Sequence, residues 1–240
     1  MAEPATNRID LDGQMVEYTV RDSRQATKPR INVGLGGVTV VLPAATRVAP
    51  ERVLREHAAW VTETSRKFAE RRASLPDRRF VEGASFPYLD EPHRIVVERR
   101  SHSAVADEEF RLAAHHVEQT SIERALETLY RRLARERYTE LAEDYAPEMG
   151  VTYDQIQIRN QRTKWGSCSS RGTLSLNWRV IMAPPAISAY LVVHELAHLR
   201  EPNHSAAFWA IVAEYDPAYE RHRAWLKTNG TDLIFTEADL

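Results

Sequence analysis

His194-Glu195-Leu196-Ala197-His198 combines residue types and a spacing that could hold a metal ion and activate water. On a helix, histidines at i and i+4 project from one face, about 6 Å apart along the axis. Their ring nitrogens can then converge on a single ion at roughly 2.0–2.1 Å. Glu195 lies about 100° round the helix from His194. That offset makes it a poor third ligand, but it lets the carboxylate reach a water held by the ion, which is the general-base position of the HExxH spacing. His204 is the candidate third ligand. Pro202 should end the helix, Asn203 suits the turn, and the chain can fold His204 back toward the pair. Three histidines would leave a fourth tetrahedral position open for water, as in a catalytic zinc site.

The flanks Ala189, Leu191, Val192, Val193, Leu196, Ala197 and Leu199 are uncharged, so the helix should be buried on most sides. Burying several histidines and a glutamate without partners would be costly. The residues leave other readings open. The histidines could be hydrogen-bonded core residues, or Glu201 or Glu214 could replace His204 as a ligand. Cys168 could close a purely structural zinc site, although such a site needs no glutamate at 195. The span from His194 to His204 has the length of the metzincin signature. However, Glu201 stands at its glycine position, and the last methionine, Met182, lies upstream of the site, so no Met-turn can follow.

The metal helix is expected to open at Pro184-Pro185, since proline suits the first helical turn, and Ser205 should cap the next helix, Ala206–Tyr215. Ahead of it, Gln155–Asn160 and Thr173–Trp178 alternate apolar and polar residues and are expected to pair as antiparallel strands. The turn-rich stretch between them holds Arg162, Lys164 and Arg171, and Arg179 follows. These cations could clamp phosphates if the substrate carries them. Ser121–Tyr145 reads as a long helix with Ile122, Leu126, Leu129, Leu133 and Leu141 on one stripe. Earlier, strands are expected at Met15–Val20, Ile31–Leu35, 38–42, Phe80–Tyr88 and His93–Arg99, with a hairpin at Gly36-Gly37 and a helix over Glu51–Arg72. The expected fold class is α+β: a β-rich N-terminal module over 1–112, then a catalytic domain over 113–240 with an antiparallel sheet and the HExxH helix. No repeat with a period of 20–50 residues is visible.

The chain has 240 residues, 43% hydrophobic and 28% charged, which excludes disordered and fibrous classes. The net charge of −2 gives no strong nucleic-acid signal. The paired cations at 66–67, 71–72 and 78–79 read as a solvated helix face and its exit loop. Neither Ile31–Thr46 nor Val180–Val193 reaches the roughly 20 apolar residues of a membrane span. One cysteine and the lack of a signal-like start lead us to expect a cytoplasmic protein with no membrane partner. Oligomeric state is not legible.

Trp165-Gly166-Ser167-Cys168, Leu176-Asn177-Trp178-Arg179, Pro184, Val192-Val193-His194-Glu195-Leu196-Ala197-His198-Leu199, Asn203-His204-Ser205 and Phe208-Trp209 together resemble the YgjP-like family of zinc metallopeptidases. These motifs cover about residues 153–230. The N-terminal half is similar more loosely, through its hairpin, helix and Tyr88-Leu89 segment. The resemblance implies a zincin-like C-terminal fold, Zn2+ on His194, His198 and His204, and Glu195 as catalytic acid/base. Nucleoside triphosphate pyrophosphatase activity has also been assigned within the family. The expectation is therefore a zinc-dependent hydrolase acting on a peptide or a small-molecule substrate, including a nucleotide. A peptidase is the first reading, a pyrophosphatase using Arg162 and Lys164 the second, and a non-catalytic zinc-stabilised binding module the third.

Overall fold

Tight turns in left-handed backbone organise the strands. The computed structural model describes residues 6–44, 46–73, 75–236 and 239. It divides into two compact units, one before Asp77 and one over Asp77–Asp239. In the first, β1 (Thr6–Leu11) and β2 (Gln14–Ser23) form a hairpin through Asp12 and Gly13, both at positive φ, as a two-residue hairpin turn requires. β3 (Arg30–Gly34) and β4 (Gly37–Pro43) form the second hairpin through Leu35 and Gly36, one residue before the expected Gly36-Gly37. The sheet order is β1-β2-β4-β3, with β2 and β4 parallel. The sequence suggests one helix over Glu51–Arg72. The chain instead breaks at His57 into α1 (Pro50–Glu56) and α2 (Ala58–Ala73). The break lets unevenly spaced apolar residues, Val53, Leu54 and Val61, all reach the same core as Ile9, Leu11 and Val40.

The second unit opens with the same strand pattern: β5 (Ser85–Tyr88), β6 (Glu91–Glu98), β7 (Ala104–Ala106) and β8 (Glu109–Ala113), in the order β5-β6-β8-β7 with β6 and β8 parallel. Leu89 and Asp90 turn its first hairpin at positive φ, which is unfavourable for residues with a Cβ. Their N–H groups donate to the carbonyls of Ile181 and Met182, which fixes the turn from outside. Two helices follow here as well, α3 (Ala114–Gln119) and α4 (Ile122–Glu148). Ser121 caps α4 by accepting from the Arg124 N–H, and the leucine stripe predicted for this helix is buried. The repeat of two hairpins and two helices is longer than the periods considered from sequence.

The remaining elements are β9 (Gln155–Arg159), β10 (Gly166–Cys168), β11 (Thr173–Asn177), a 3-10 turn at Trp178–Met182, α5 (Pro185–Ala197), α6 (Ala206–Tyr215), α7 (Tyr219–Asn229) and a 3-10 turn at Gly230–Leu233. β9 and β11 are parallel, not antiparallel as expected. The six residues after β9 cross to the far side of β11 and deliver β10, which pairs antiparallel with β11 through the Ser169–Gly172 turn. The small sheet therefore runs β10-β11-β9, with β10 at a free edge. The boundary expected near 112 is corrected to Pro76–Asp77. Phe86, Ile95, Phe110 and Leu112 of the second sheet pack into one core with Leu126, Tyr130, Trp178 and Val192, so they cannot belong to a separate N-terminal module. Among the described residues no helix is long and apolar enough to cross a membrane.

Candidate metal centre

Helix α5 opens on Pro185 and buries Ile187, Leu191, Val192, Val193 and Leu196, so its last turn is held rigidly. That turn carries His194 and Glu195, and His198 caps the helix end. The chain then winds through Leu199–Glu201, whose N–H groups bond back to Leu196 and Ala197 carbonyls. It returns His204 to the histidine pair just before Ser205, which caps α6 by accepting from the Phe208 N–H at 3.3 Å.

The three sequence-chosen histidines come together. One nitrogen from each lies within 4.8 Å of the others, and Nε2 of His194 and Nε2 of His204 are 3.0 Å apart. Two nitrogens on one tetrahedral ion at 2.0–2.1 Å would sit about 3.4 Å apart, so the spacing fits a shared ion. The rings are held from behind. The Nδ1–H of His198 donates to the Glu201 carbonyl at 3.3 Å, leaving Nε2 as the donor atom toward the cluster. The Tyr190 hydroxyl lies 3.5 Å from Nδ1 of His194. Phe208 packs against all three rings, and Trp209 stacks on His204. Burial first, and then its histidine neighbours and Arg223, hold the His194 ring down to about 3. Burial also lowers His198. Both rings are thus neutral, with lone pairs available to a metal.

Glu195 is buried at 3% exposure, and among the described residues its Oε2 finds no hydrogen-bond partner. Burial pushes the carboxyl up to about 8, opposed in part by the Lys164 ammonium and a backbone hydrogen bond from Cys168. A dication among the histidines would pull it back down. Strand β10 lies directly on this carboxylate: a Cβ on Gly166 would fall 2.2 Å from Glu195 Oε1. Only glycine lets the strand approach so closely.

The other candidates separate. Cys168 is half-buried, its thiol donates to the Ser169 carbonyl, and burial raises it to about 11. Among the described residues the donor cluster contains the three histidines and neither Cys168, Glu201 nor Glu214. The cluster opens into a cavity of about 950 Å³. Of the cations named from sequence, Lys164 lines it, while Arg162, Arg171 and Arg179 do not. Arg171 faces a separate pocket beside Gly150. Arg179 is buried, bonds to Asn177 Oδ1 and the Gln161 carbonyl, and lies 3.9 Å from Asp239, so it braces the fold and is no phosphate clamp. Sequence reasoning missed Tyr190, Gly166 and the α7 residues Arg223 and Lys227, which line the same cavity. Tyr190 could have been found, since it stands one helical turn before His194 on the same face.

A family model described as the YgjP-like metallopeptidase domain matches residues 27–229. The chain belongs to this family. The resemblance read from the motifs is thereby shown, and it extends across most of the N-terminal unit as well. As a YgjP-like protein it carries a metallopeptidase-type domain, and its histidine triad has the composition of a metal site. Among curated proteins no match is found. Two solved structures are similar in part. The metallopeptidase zymogen of Pyrococcus abyssi abylysin is 22% identical, covering 40% of this chain and 99% of that one, with a TM-score of 0.36. The zymogen of Methanocaldococcus jannaschii jannalysin is 19% identical, covering 38% and 94%, with a TM-score of 0.34.

Proposed function

We propose that this YgjP-like protein is a zinc-dependent peptidase in which His194, His198 and His204 hold the ion and Glu195 is the general base. The observation that carries the reading is the buried carboxylate of Glu195, with one oxygen unpartnered among the described residues, next to three converging imidazoles. Leaving a buried acceptor unsatisfied costs roughly 1–3 kcal/mol, and a site that only stabilised the fold gives no reason to bear it. Three nitrogen donors suit zinc. When bound, zinc would polarise the scissile carbonyl and bring the pKa of a water it carries to about 7.

The chain's own residues do the rest. Glu195 takes a proton from the attacking water and returns it to the leaving amine. The close approach of β10 at Gly166 holds the carboxylate in place beside the histidines. The strand that can receive an extended substrate is β10, because β11 is paired on both sides. A peptide adding to the β10 edge would pass over Glu195 and the histidines, with main-chain hydrogen bonds setting its register. Phosphoanhydride hydrolysis, the second reading, retains Lys164 but loses Arg171 and Arg179 as clamps.

The test is a pair of variants on protein purified without a histidine tag. The wild type should carry about one zinc per chain. Glu195→Gln should keep the zinc and lose 10²–10⁴-fold in peptide hydrolysis, roughly the contribution of a positioned acid/base. His194→Ala, His198→Ala or His204→Ala should lose both. Zinc loss in Glu195→Gln would make the glutamate a ligand and overturn the assignment.

A further inference from the structure

We propose that helix α7 adds an anion subsite to the metal cavity, with Arg223 as the residue that receives a carboxylate of the substrate. The inference rests on the peptidase reading of the same site. The exposed charges facing the cavity are of one sign. Lys164, Arg223 and Lys227 line it, and its one acidic lining residue is Glu195, which is buried and committed to the metal side. An anionic group entering this space meets the cations Lys164 and Arg223 and no exposed carboxylate of the cavity lining.

Arg223 is also prepared for this role. Among the described residues no carboxylate lies within ion-pair distance of it, whereas Arg94, Arg111 and Arg131 of the same unit each hold a glutamate or aspartate. Its guanidinium rests 4.7 Å over the ring of Trp209. That ring is stacked in turn on His204 at 5.6 Å and on Tyr219 at 5.3 Å. A guanidinium held over an aromatic ring keeps the N–H edge in its own plane free to pair with a carboxylate in a two-pronged contact. The stack therefore places a positioned cation one aromatic ring away from a metal ligand. A carboxylate there would sit close to the scissile bond, as an acidic side chain beside it or as the peptide's own C-terminus.

The experiment uses the full chain, zinc-loaded, with matched peptides. One pair differs by Glu against Gln next to the scissile bond, and another by a free against an amidated C-terminus. Wild type should prefer the carboxylate member of one pair by about tenfold or more in kcat/KM, the size of one charge-assisted hydrogen bond. The pair that responds names the source of the carboxylate. Arg223→Gln should bring that ratio to near one, and Arg223→Glu should invert it toward a matched basic peptide, an outcome that loss of structure cannot produce. A wild-type ratio near one for both pairs, or a ratio unmoved in Arg223→Gln, overturns the subsite. So does Arg223-dependent hydrolysis of a nucleoside triphosphate without any carboxylate preference among peptides. Equilibrium binding of the same uncleaved peptides to Glu195→Gln separates the two readings. If wild type hydrolyses neither peptides nor nucleotides, yet Glu195→Gln binds the carboxylate member tighter and Glu195→Gln/Arg223→Gln does not, the subsite stands and the peptidase reading falls. Equal binding of both members overturns the subsite.

Discussion

Gly166 leaves no room for a side chain beside Glu195, and that sets a sharp test. A methyl group on Gly166 would meet Glu195 Oε1, Cδ and Cγ at 2.2, 2.7 and 2.9 Å, so more than the tip of the side chain must move. Gly166→Ala should lower kcat at least tenfold while leaving zinc content at wild-type level; unchanged kcat would show that the carboxylate need not sit beneath β10. The histidines make a separate prediction about acid stability. In the unfolded chain His194 protonates near 6.5, but in the folded protein it stays neutral down to about 3. The unfolded state therefore binds more protons over that window, and folding stability of zinc-free protein should fall as pH drops from about 7 to 4. Thermal melts of wild type and His194→Leu should show a shallower acid-side loss in the variant; parallel curves would sink the idea. The convergence of His194 and His198 was legible because a four-residue step on a helix is local geometry, and that of His204 because Pro202 had to end the helix. Arg223 was not legible, since α7 reaches the cavity only through tertiary packing and nothing in its sequence marks that face.

Helix ends, more than helix middles, build this centre. His198 sits at the C-terminal cap of α5, and His204 immediately precedes the N-cap of α6. The Ser205 side chain anchors the α6 end by accepting the Phe208 N–H, and Phe208 is the residue packed against all three histidine rings. Ser205→Ala should cost about 1 kcal/mol of stability, read from denaturant melts. It should also weaken zinc binding, read by competition with a chelator, because the turn holding His204 loosens. A stability loss with unchanged zinc affinity would mean that the 199–204 turn is fixed by its own backbone bonds. The start of α5 at Pro184-Pro185 and the cap at Ser205 were readable, as the chemistry of those residues announces them. The sense of β9 against β11 was not, because alternation of apolar residues fixes which face of a strand is buried and says nothing of its direction. The crossover through residues 160–165 sets that direction, and it also leaves β10 rather than β11 at the edge of the small sheet.

At the scale of the whole chain, the sequence pattern suggests a boundary near 112, whereas the two compact units divide at Pro76–Asp77. The long helix α4 looked like the start of something new, since helical periodicity first becomes strong there. What sequence periodicity cannot show is the partner of a buried face. Leu126 and Tyr130 of α4 pack against Phe110 and Leu112 of the preceding sheet as well as against Trp178, and the Tyr130 hydroxyl donates to the Pro87 carbonyl at 2.6 Å. Phe235 closes the same aromatic cluster from the other end of the unit, 5.0 Å from Trp178 and 5.8 Å from Tyr130. Cutting the chain near 112 would strip this core of Phe86, Ile95, Phe110 and Leu112. At roughly 1.5–3 kcal/mol for each large apolar side chain, the loss would rival the 5–15 kcal/mol of a typical domain's total stability. Cutting at Pro76–Asp77 removes none of these residues. A fragment of residues 77–240 should therefore fold cooperatively and bind about one zinc, whereas residues 113–240 should be insoluble or melt without a transition. Circular dichroism melts and elemental analysis of the two fragments decide this. A cooperative, zinc-binding 113–240 fragment would restore the boundary suggested by periodicity and show that the β5–β8 sheet is dispensable to the metal centre.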